Sequence, residues 1–243
     1  MLRERLQTAI RAVYPPRCLS CGGLVESDAA LCGACWGGTA FISGLVCDLC
    51  GVPLPGDPTA GAESCDECMR IARPWARGRA ALLYRGTGRA LVLALKHGDR
   101  HDIALPAARW MARAAAPLLV PDTLIVPVPL HLTRLLRRLS NQSALLAQAL
   151  ARVTGHDACP DALVRRVRTP SLDGRTREER FAVLGDAIAV RPRRRAAIAG
   201  RPILLVDDVM TTGATLSAAT DALIAAGAGP VCVAALARVA RDT

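Results

Sequence analysis

From about Trp75 onward, apolar runs of strand length alternate with stretches of helical spacing. Ala80–Tyr84 (AALLY) reads as a strand, Thr87–Lys96 and Asp102–Ala116 as helices, and Leu124–Val128 (LIVPV) as a short strand closed by prolines. Ser140–Val153 has helical spacing, with Ser140 or Asn141 placed to accept from the free N–H groups of its first turn. Ala162–Val167 reads as another strand. Ile203–Val206 (ILLV) is apolar without alternation, as strands buried on both faces are. Ala214–Ala226 is helical and ends at Gly227, and Val231–Leu236 is the last strand. Strands alternating with helices predict a doubly wound α/β fold. In such sheets ligands sit at the carboxyl ends of the strands.

The first 70 residues follow another logic. Leu2, Leu6, Ile10 and Val13 recur at helical spacing, and Pro15 and Pro16 stop the pattern, so an amphipathic helix is expected over 1–16. Then come four C-x-x-C pairs: Cys18/Cys21, Cys32/Cys35, Cys47/Cys50 and Cys65/Cys68. A C-x-x-C turn puts two thiolates on one side of a tight knuckle, and two knuckles complete a tetrahedral zinc site. The spacing predicts a double zinc ribbon over 17–70 with two structural Zn2+ sites. Four thiolates leave no position open for a reacting water. The simplest pairing is sequential, Cys18, Cys21, Cys32 and Cys35 in one site and Cys47, Cys50, Cys65 and Cys68 in the other. Interleaved pairing is also open, since spacing alone does not exclude it. Disulfides are disfavoured because nothing in the chain indicates export.

Composition sharpens this division. The 243 residues carry 31 Lys plus Arg against 21 Asp plus Glu, a formal net charge of +10. Residues 1–70 hold 5 Arg and 8 acids, so the whole excess lies in residues 71–243. The basic part invites a polyanion, either nucleic acid or a phosphorylated small molecule. Hydrophobic residues make up 51%, enough for a core, but aromatics only 3%, which leaves few platforms for stacking single-stranded bases. The longest apolar stretch, Ala222–Ala237, is broken by Gly227, Gly229 and Pro230, so no membrane span is expected. The opening residues carry charge and lack the apolar run of an export signal, which points to the cytoplasm. Nothing here sets an oligomeric state.

The most informative segment is Ile203–Thr215, ILLVDDVMTTGAT. An apolar strand runs into Asp207 and Asp208. A loop of Thr211, Thr212 and Gly213 follows, and a helix starts at Ala214 and Thr215. Carboxylates at a strand end can accept hydrogen bonds from vicinal hydroxyls or hold a divalent metal through water. Threonine hydroxyls and the N–H groups at a helix start form an anion site. A ligand with ribose hydroxyls and a phosphate fits both halves.

This segment resembles the phosphoribosyl pyrophosphate (PRPP) signature of type I phosphoribosyltransferases: four apolar residues, two acids, four residues, then Thr-Gly-x-Thr. The resemblance implies that Asp207 and Asp208 bind the ribose hydroxyls and act in catalysis. It implies that Thr211, Thr212, Gly213, Ala214 and Thr215 cradle the 5-phosphate. Thr211 stands where 6-oxopurine transferases carry an acid, which disfavours purine salvage of that type.

Val126–Ala147 (VPVPLHLTRLLRRLSNQSALLA), Leu95–Arg100 (LKHGDR) and Arg168–Arg180 (RTPSLDGRTREER), together with the cysteine pairs, resemble the ComF/GntX-like family over nearly the whole chain. The family's usual Arg-Gly-Phe-Asn-Gln is Arg138-Leu139-Ser140-Asn141-Gln142 here. The resemblance implies a type I phosphoribosyltransferase-like, mostly parallel sheet flanked by helices over 75–243, preceded by the zinc ribbon. It implies Mg2+ bound with PRPP and a role in natural competence, DNA uptake or DNA metabolism. Implied partners are single-stranded DNA and competence helicases or recombination proteins. Lys96, the single Lys of the chain, and Arg134 and Arg138 are candidates for the pyrophosphate, where fixed cations would stabilise the developing charge. An adaptor without turnover, contacting DNA or protein through the ribbon, is the alternative.

Overall fold

A computed structural model of the chain describes residues 14–58, 61–97, 100–130, 141–166 and 187–240. The expected helix over 1–16, Arg134, Arg138 and the basic connector at 168–180 fall outside these residues, save for Tyr14, Pro15 and Pro16.

Five strands form one parallel sheet. They are β1 (Arg77–Leu83), β2 (Leu124–Pro127), β3 (Asp157–Ala158), β6 (Ile203–Met210) and β7 (Val231–Arg238), in the order β1-β7-β6-β2-β3. β4 (Leu163–Arg165) and β5 (Ile188–Val190) pair as a separate antiparallel hairpin. The central strand β6 is the ILLV run, and its four apolar residues are at most 1% exposed. A strand with neighbours on both edges and layers on both faces excludes water all round, which is why its pattern has no polar alternation.

Side chains of successive strand residues go to opposite faces. Leu204, Val206, Ile125 and Leu236 meet α3 (Gly86–His97), α4 (Ala104–Ala115) and α5 (Gln142–Thr154). α4 buries Ala104, Ala107, Ala108, Met111 and Ala115 along one stripe, at the spacing of a helix face. α5 starts at Asn141, whose side chain accepts from Ser143 N–H at 3.1 Å, and ends at Gly155 with φ +74°.

On the other face Ile203, Leu205, Val231 and Val233 meet α7 (Ala214–Ala225) and the β4–β5 hairpin. Trp75, Cys47, Cys50 and Cys68 belong to the same buried cluster. The cysteine-rich part contributes α1 (Gly33–Gly37) and α2 (Asp66–Arg70), and α6 (Arg195–Ile198) precedes β6.

Several expected bounds change. β6 does not end at Val206 but runs through both acids to Met210, because the long partner β7 continues the ladder there while β2 stops at Pro127. β1 starts at Arg77, ahead of Ala80, since the parallel pairing with β7 recruits two arginines and Gly78. The strand expected over Ala162–Val167 is the three-residue β4, placed in the hairpin rather than the sheet. β3 and β5 are two and three residues long, too short for any period to register.

Candidate functional site

The strand ends at the carboxyl edge of the sheet open into a cleft of about 340 Å3, within the range of small-molecule sites. Lys96, Ser143, Asp207, Asp208 and the Thr211–Thr215 loop all line it. Because Asp207 pairs with Ala235 and Val209 with Ala237, the acids sit on a strand held by its ladder rather than on a loop. Asp207 accepts a hydrogen bond from Ser143 Oγ at 2.9 Å and from Asp208 N–H at 2.9 Å. Lys96 Nζ lies 3.2 Å from Asp208 Oδ1. The last turn of α3 thus reaches the acids from across the cleft.

Burial pushes the Asp207 carboxyl up to about 7, and the neighbouring Asp208 charge adds to it. Lys96 and the two donated hydrogen bonds oppose the shift. A half-buried carboxyl beside a second one is poised to change protonation when a cation or hydroxyl donors arrive.

The loop after β6 is held from behind. Gly213 precedes α7 with φ +81°, a conformation costly for any residue with a side chain. A Cβ there would stand 2.8 Å from Arg73 Nη1 and 3.0 Å from Trp75 Cη2. Arg73 Nη1 donates to Thr212 O at 2.6 Å, and Arg238 Nη1 donates to Thr211 O at 2.6 Å. In a trans peptide the N–H points opposite the C=O. Pinning these two carbonyls on the far side therefore turns the N–H groups of Thr212 and Gly213 toward the cleft. Successive N–H groups aimed one way at a helix start make a concave anion site.

The eight C-x-x-C cysteines form two tetrads. The sulfurs of Cys18, Cys21, Cys32 and Cys35 all lie within 4.8 Å of one another, as do those of Cys47, Cys50, Cys65 and Cys68. Of the two pairings open from spacing, the sequential one brings the sulfurs together. Cys21 and Cys32 Sγ are 3.7 Å apart, and so are Cys50 and Cys65 Sγ. Zn–S bonds of about 2.3 Å in a tetrahedron put sulfurs about 3.8 Å apart, whereas a disulfide needs about 2.05 Å. None of the ten cysteines is joined in a disulfide. The donor set fits Zn2+ in both places. The second tetrad is the more buried, with Cys47 and Cys50 at 0% exposure.

The structure thus brings Lys96, Asp207, Asp208 and the Thr211–Thr215 loop into one cleft. Arg134 and Arg138 lie outside the described residues. Ser143, Tyr84 and Arg165, which no sequence motif singles out as site residues, line the same cleft. Ser143 is the last residue of the Asn-Gln-Ser segment and lies in the first turn of α5. Arg165 had no signal, because only the fold of the β4–β5 hairpin carries it to the cleft. Arg73, Glu67 and Arg238 were likewise three charges among many.

Comparisons with known proteins agree with this architecture. A family profile described as double zinc ribbon domain matches residues 9–69, and one described as phosphoribosyl transferase domain matches residues 139–243. The chain is 34% identical to DNA utilization protein YhgH of Salmonella typhi over 203 residues, covering 79% of this chain and 84% of that protein. It is 28% identical to competence protein F of Haemophilus influenzae, covering 91% of this chain and 96% of that one. Among solved structures, an adenine phosphoribosyltransferase from Thermoanaerobacter pseudethanolicus aligns at 15% identity with a TM-score of 0.38, covering 61% of this chain and 86% of that one. No helix among the described residues is long and apolar enough to cross a membrane. On the identity and coverage of its relatives and on its two matched domains, the chain belongs to the ComF-like family, a double zinc ribbon joined to a phosphoribosyltransferase domain.

Proposed function

We propose that the cleft binds Mg2+-PRPP, and that the chain transfers its ribose phosphate to an acceptor. The observation that carries this reading is the juxtaposition of two strand-held acids with an N–H-lined loop whose carbonyls are pinned away from the cleft. Asp207 and Asp208 would accept from the ribose 2- and 3-hydroxyls. The backbone and hydroxyls of Thr211, Thr212, Gly213, Ala214 and Thr215 would hold the 5-phosphate. Lys96, now 3.2 Å from Asp208, would turn to the pyrophosphate, and Arg134 and Arg138 would reach it from the segment after β2. Mg2+ would neutralise part of the pyrophosphate charge as it leaves. In the transfer, the bond from ribose C1 to the pyrophosphate oxygen breaks and one from C1 to the acceptor forms, the pyrophosphate taking the electron pair. The names of the relatives, DNA utilization protein and competence protein F, support a purpose in DNA uptake or DNA metabolism. In the proposed division, 17–70 is the structural ribbon with two Zn2+ and 75–243 the ligand-binding part.

Two expected results follow. Mg2+ with PRPP together should raise the melting temperature in thermal unfolding, because a ligand that binds only the folded chain stabilises it by mass action. Ribose 5-phosphate should do so more weakly, since it lacks the group that Lys96 would meet. No shift with Mg2+-PRPP at millimolar concentration would refute the reading.

Asp207 supplies the second. Its carboxyl titrates near 7 in the folded chain and near the ordinary 3.8 when unfolded. Between those values the folded chain holds a proton that the unfolded chain releases, so this group's contribution to stability declines as pH rises from about 4 to 7. Asp207→Asn removes that decline. At pH 8 it should be more stable than wild type by about 1–3 kcal/mol while losing the ligand, and near pH 4 the gain should vanish. Urea unfolding across this range measures it, and a gain that does not depend on pH would contradict the assignment.

A further inference from the structure

The guanidiniums behind the phosphate loop have a second set of neighbours. Arg73, whose side chain is 0% exposed, lies 3.7 Å from Glu67 through Nη2 while Nη1 holds Thr212 O. Arg238, whose side chain is 3% exposed, donates to Glu67 Oε2 at 2.9 Å while Nη1 holds Thr211 O. Glu67 sits between Cys65 and Cys68, inside the fourth knuckle. Both arginines thus lean on the knuckle that carries two of that tetrad's cysteines. Three of their buried nitrogens, Arg73 Nε and Nη2 and Arg238 Nε, have no hydrogen-bond partner among the described residues.

Charge balance gives this cluster a meaning. Two buried guanidiniums need counter-charge close by, and the single Glu67 carboxylate supplies half of it. One Zn2+ among four thiolates carries about two surplus negative charges, in the tetrad whose fourth knuckle holds Glu67. With the metal gone that counter-charge is lost, and the arginines have less reason to stay where they hold Thr211 O and Thr212 O. Released carbonyls would let the peptide planes turn, and the N–H groups of Thr212 and Gly213 would no longer converge on the cleft. Gly213 leaves no slack, as its backbone already lies against Arg73 and Trp75.

We propose that Glu67, Arg73 and Arg238 are positioning residues that couple zinc in the second tetrad to the phosphate grip of the Thr211–Thr215 loop. The inference rests on the PRPP reading above. Coupling is reciprocal, so bound PRPP must also hold zinc in Cys47, Cys50, Cys65 and Cys68. The first tetrad has no such path among the described residues and stays indifferent.

The test uses the full, zinc-loaded chain. A zinc-selective chelator and N-ethylmaleimide are added with and without Mg2+-PRPP, and alkylation of each cysteine is followed by peptide mass spectrometry. PRPP is expected to slow alkylation of the second tetrad about tenfold and to leave Cys18, Cys21, Cys32 and Cys35 unchanged. Glu67→Gln, still carrying both zincs, should bind PRPP about tenfold more weakly and lose the protection. Asp48→Asn is the comparator. Asp48 ties the same tetrad to Arg77 and Arg79 without touching the loop, so its PRPP affinity should stay within about twofold of wild type. A wild type that binds PRPP with equal alkylation in both conditions, or a folded Glu67→Gln of unchanged affinity, overturns the coupling and leaves the PRPP reading standing. A wild type that does not bind PRPP overturns both. If Glu67→Gln fails to fold, the wild-type alkylation pattern alone decides.

Discussion

Cys50→Ser is expected to remove one zinc and unfold the sheet together with the ribbon, whereas Cys21→Ser removes the other zinc and leaves the sheet folded. The difference lies in where the two tetrads stand. Cys47, Cys50 and Cys68 share one buried cluster with Leu205, Val233 and Trp75. Their knuckle also covers the start of the free edge of β1, where Gly78 N–H donates to Asp48 O at 2.8 Å, and Trp75 Nε1, just ahead of the strand, donates to Leu49 O at 2.7 Å; Ala40 and Ile42 pair with the rest of that edge. An uncovered edge strand would otherwise present unpaired backbone groups. Gly51, at φ +70°, lets this approach happen, since a Cβ there would lie 2.6 Å from Ala80 N. A structural zinc site is worth about 10–16 kcal/mol of binding, as much as or more than the roughly 5–15 kcal/mol that holds a domain folded. The first tetrad differs in exposing Cys21 and leaving Cys32 and Cys35 half-buried. Zinc content by elemental analysis and thermal unfolding by circular dichroism test the contrast. Equal melting of the two variants would contradict it.

The second large effect is on affinity. Asp207→Asn/Asp208→Asn is expected to weaken Mg2+-PRPP binding about 100-fold to 10,000-fold without unfolding the chain. Each hydroxyl-to-carboxylate hydrogen bond contributes about 1.5–3 kcal/mol, so two of them correspond to that range. The acids are held by the β6–β7 ladder, which asparagine leaves intact because the pairing uses only backbone groups. Asparagine also keeps the shape, so Ser143 Oγ still finds an oxygen to donate to. Lys96 loses the charge it pairs with, and the cleft becomes more positive overall. Attraction to a polyphosphate would rise on that account. The predicted loss therefore has a sign opposite to that of simple electrostatics and reports the hydroxyl contacts themselves. Circular dichroism of the double variant must match wild type for the comparison to hold.

Much of this site is legible in the sequence because it is local. Ile203–Thr215 carries strand, acids, loop and helix start in thirteen consecutive residues, and the structure keeps them in that order along β6 and α7. The four knuckles are equally local, and only their pairing needed three dimensions. What sequence reading missed depends on contacts between distant segments. Arg73 and Thr212 lie 139 positions apart and Arg238 and Glu67 lie 171 apart, and no period or spacing links such pairs. Ser143 and Arg165 reach the cleft because α5 follows β2 and because the β4–β5 hairpin packs on the face of the sheet that carries α7. The strand bounds differ from the apolar runs for a related reason. β6 runs past its apolar residues because its neighbour β7 offers a ladder there, a property of the partner rather than of the segment itself.

Isothermal titration calorimetry of the zinc-loaded chain with PRPP, with and without Mg2+ and beside the Asp207→Asn/Asp208→Asn variant, tests the central claim most directly. Wild type is expected to bind saturably and one-to-one and to require Mg2+ for full affinity, and the double variant to lose that binding. No binding by wild type, or equal binding by the folded double variant, would contradict it.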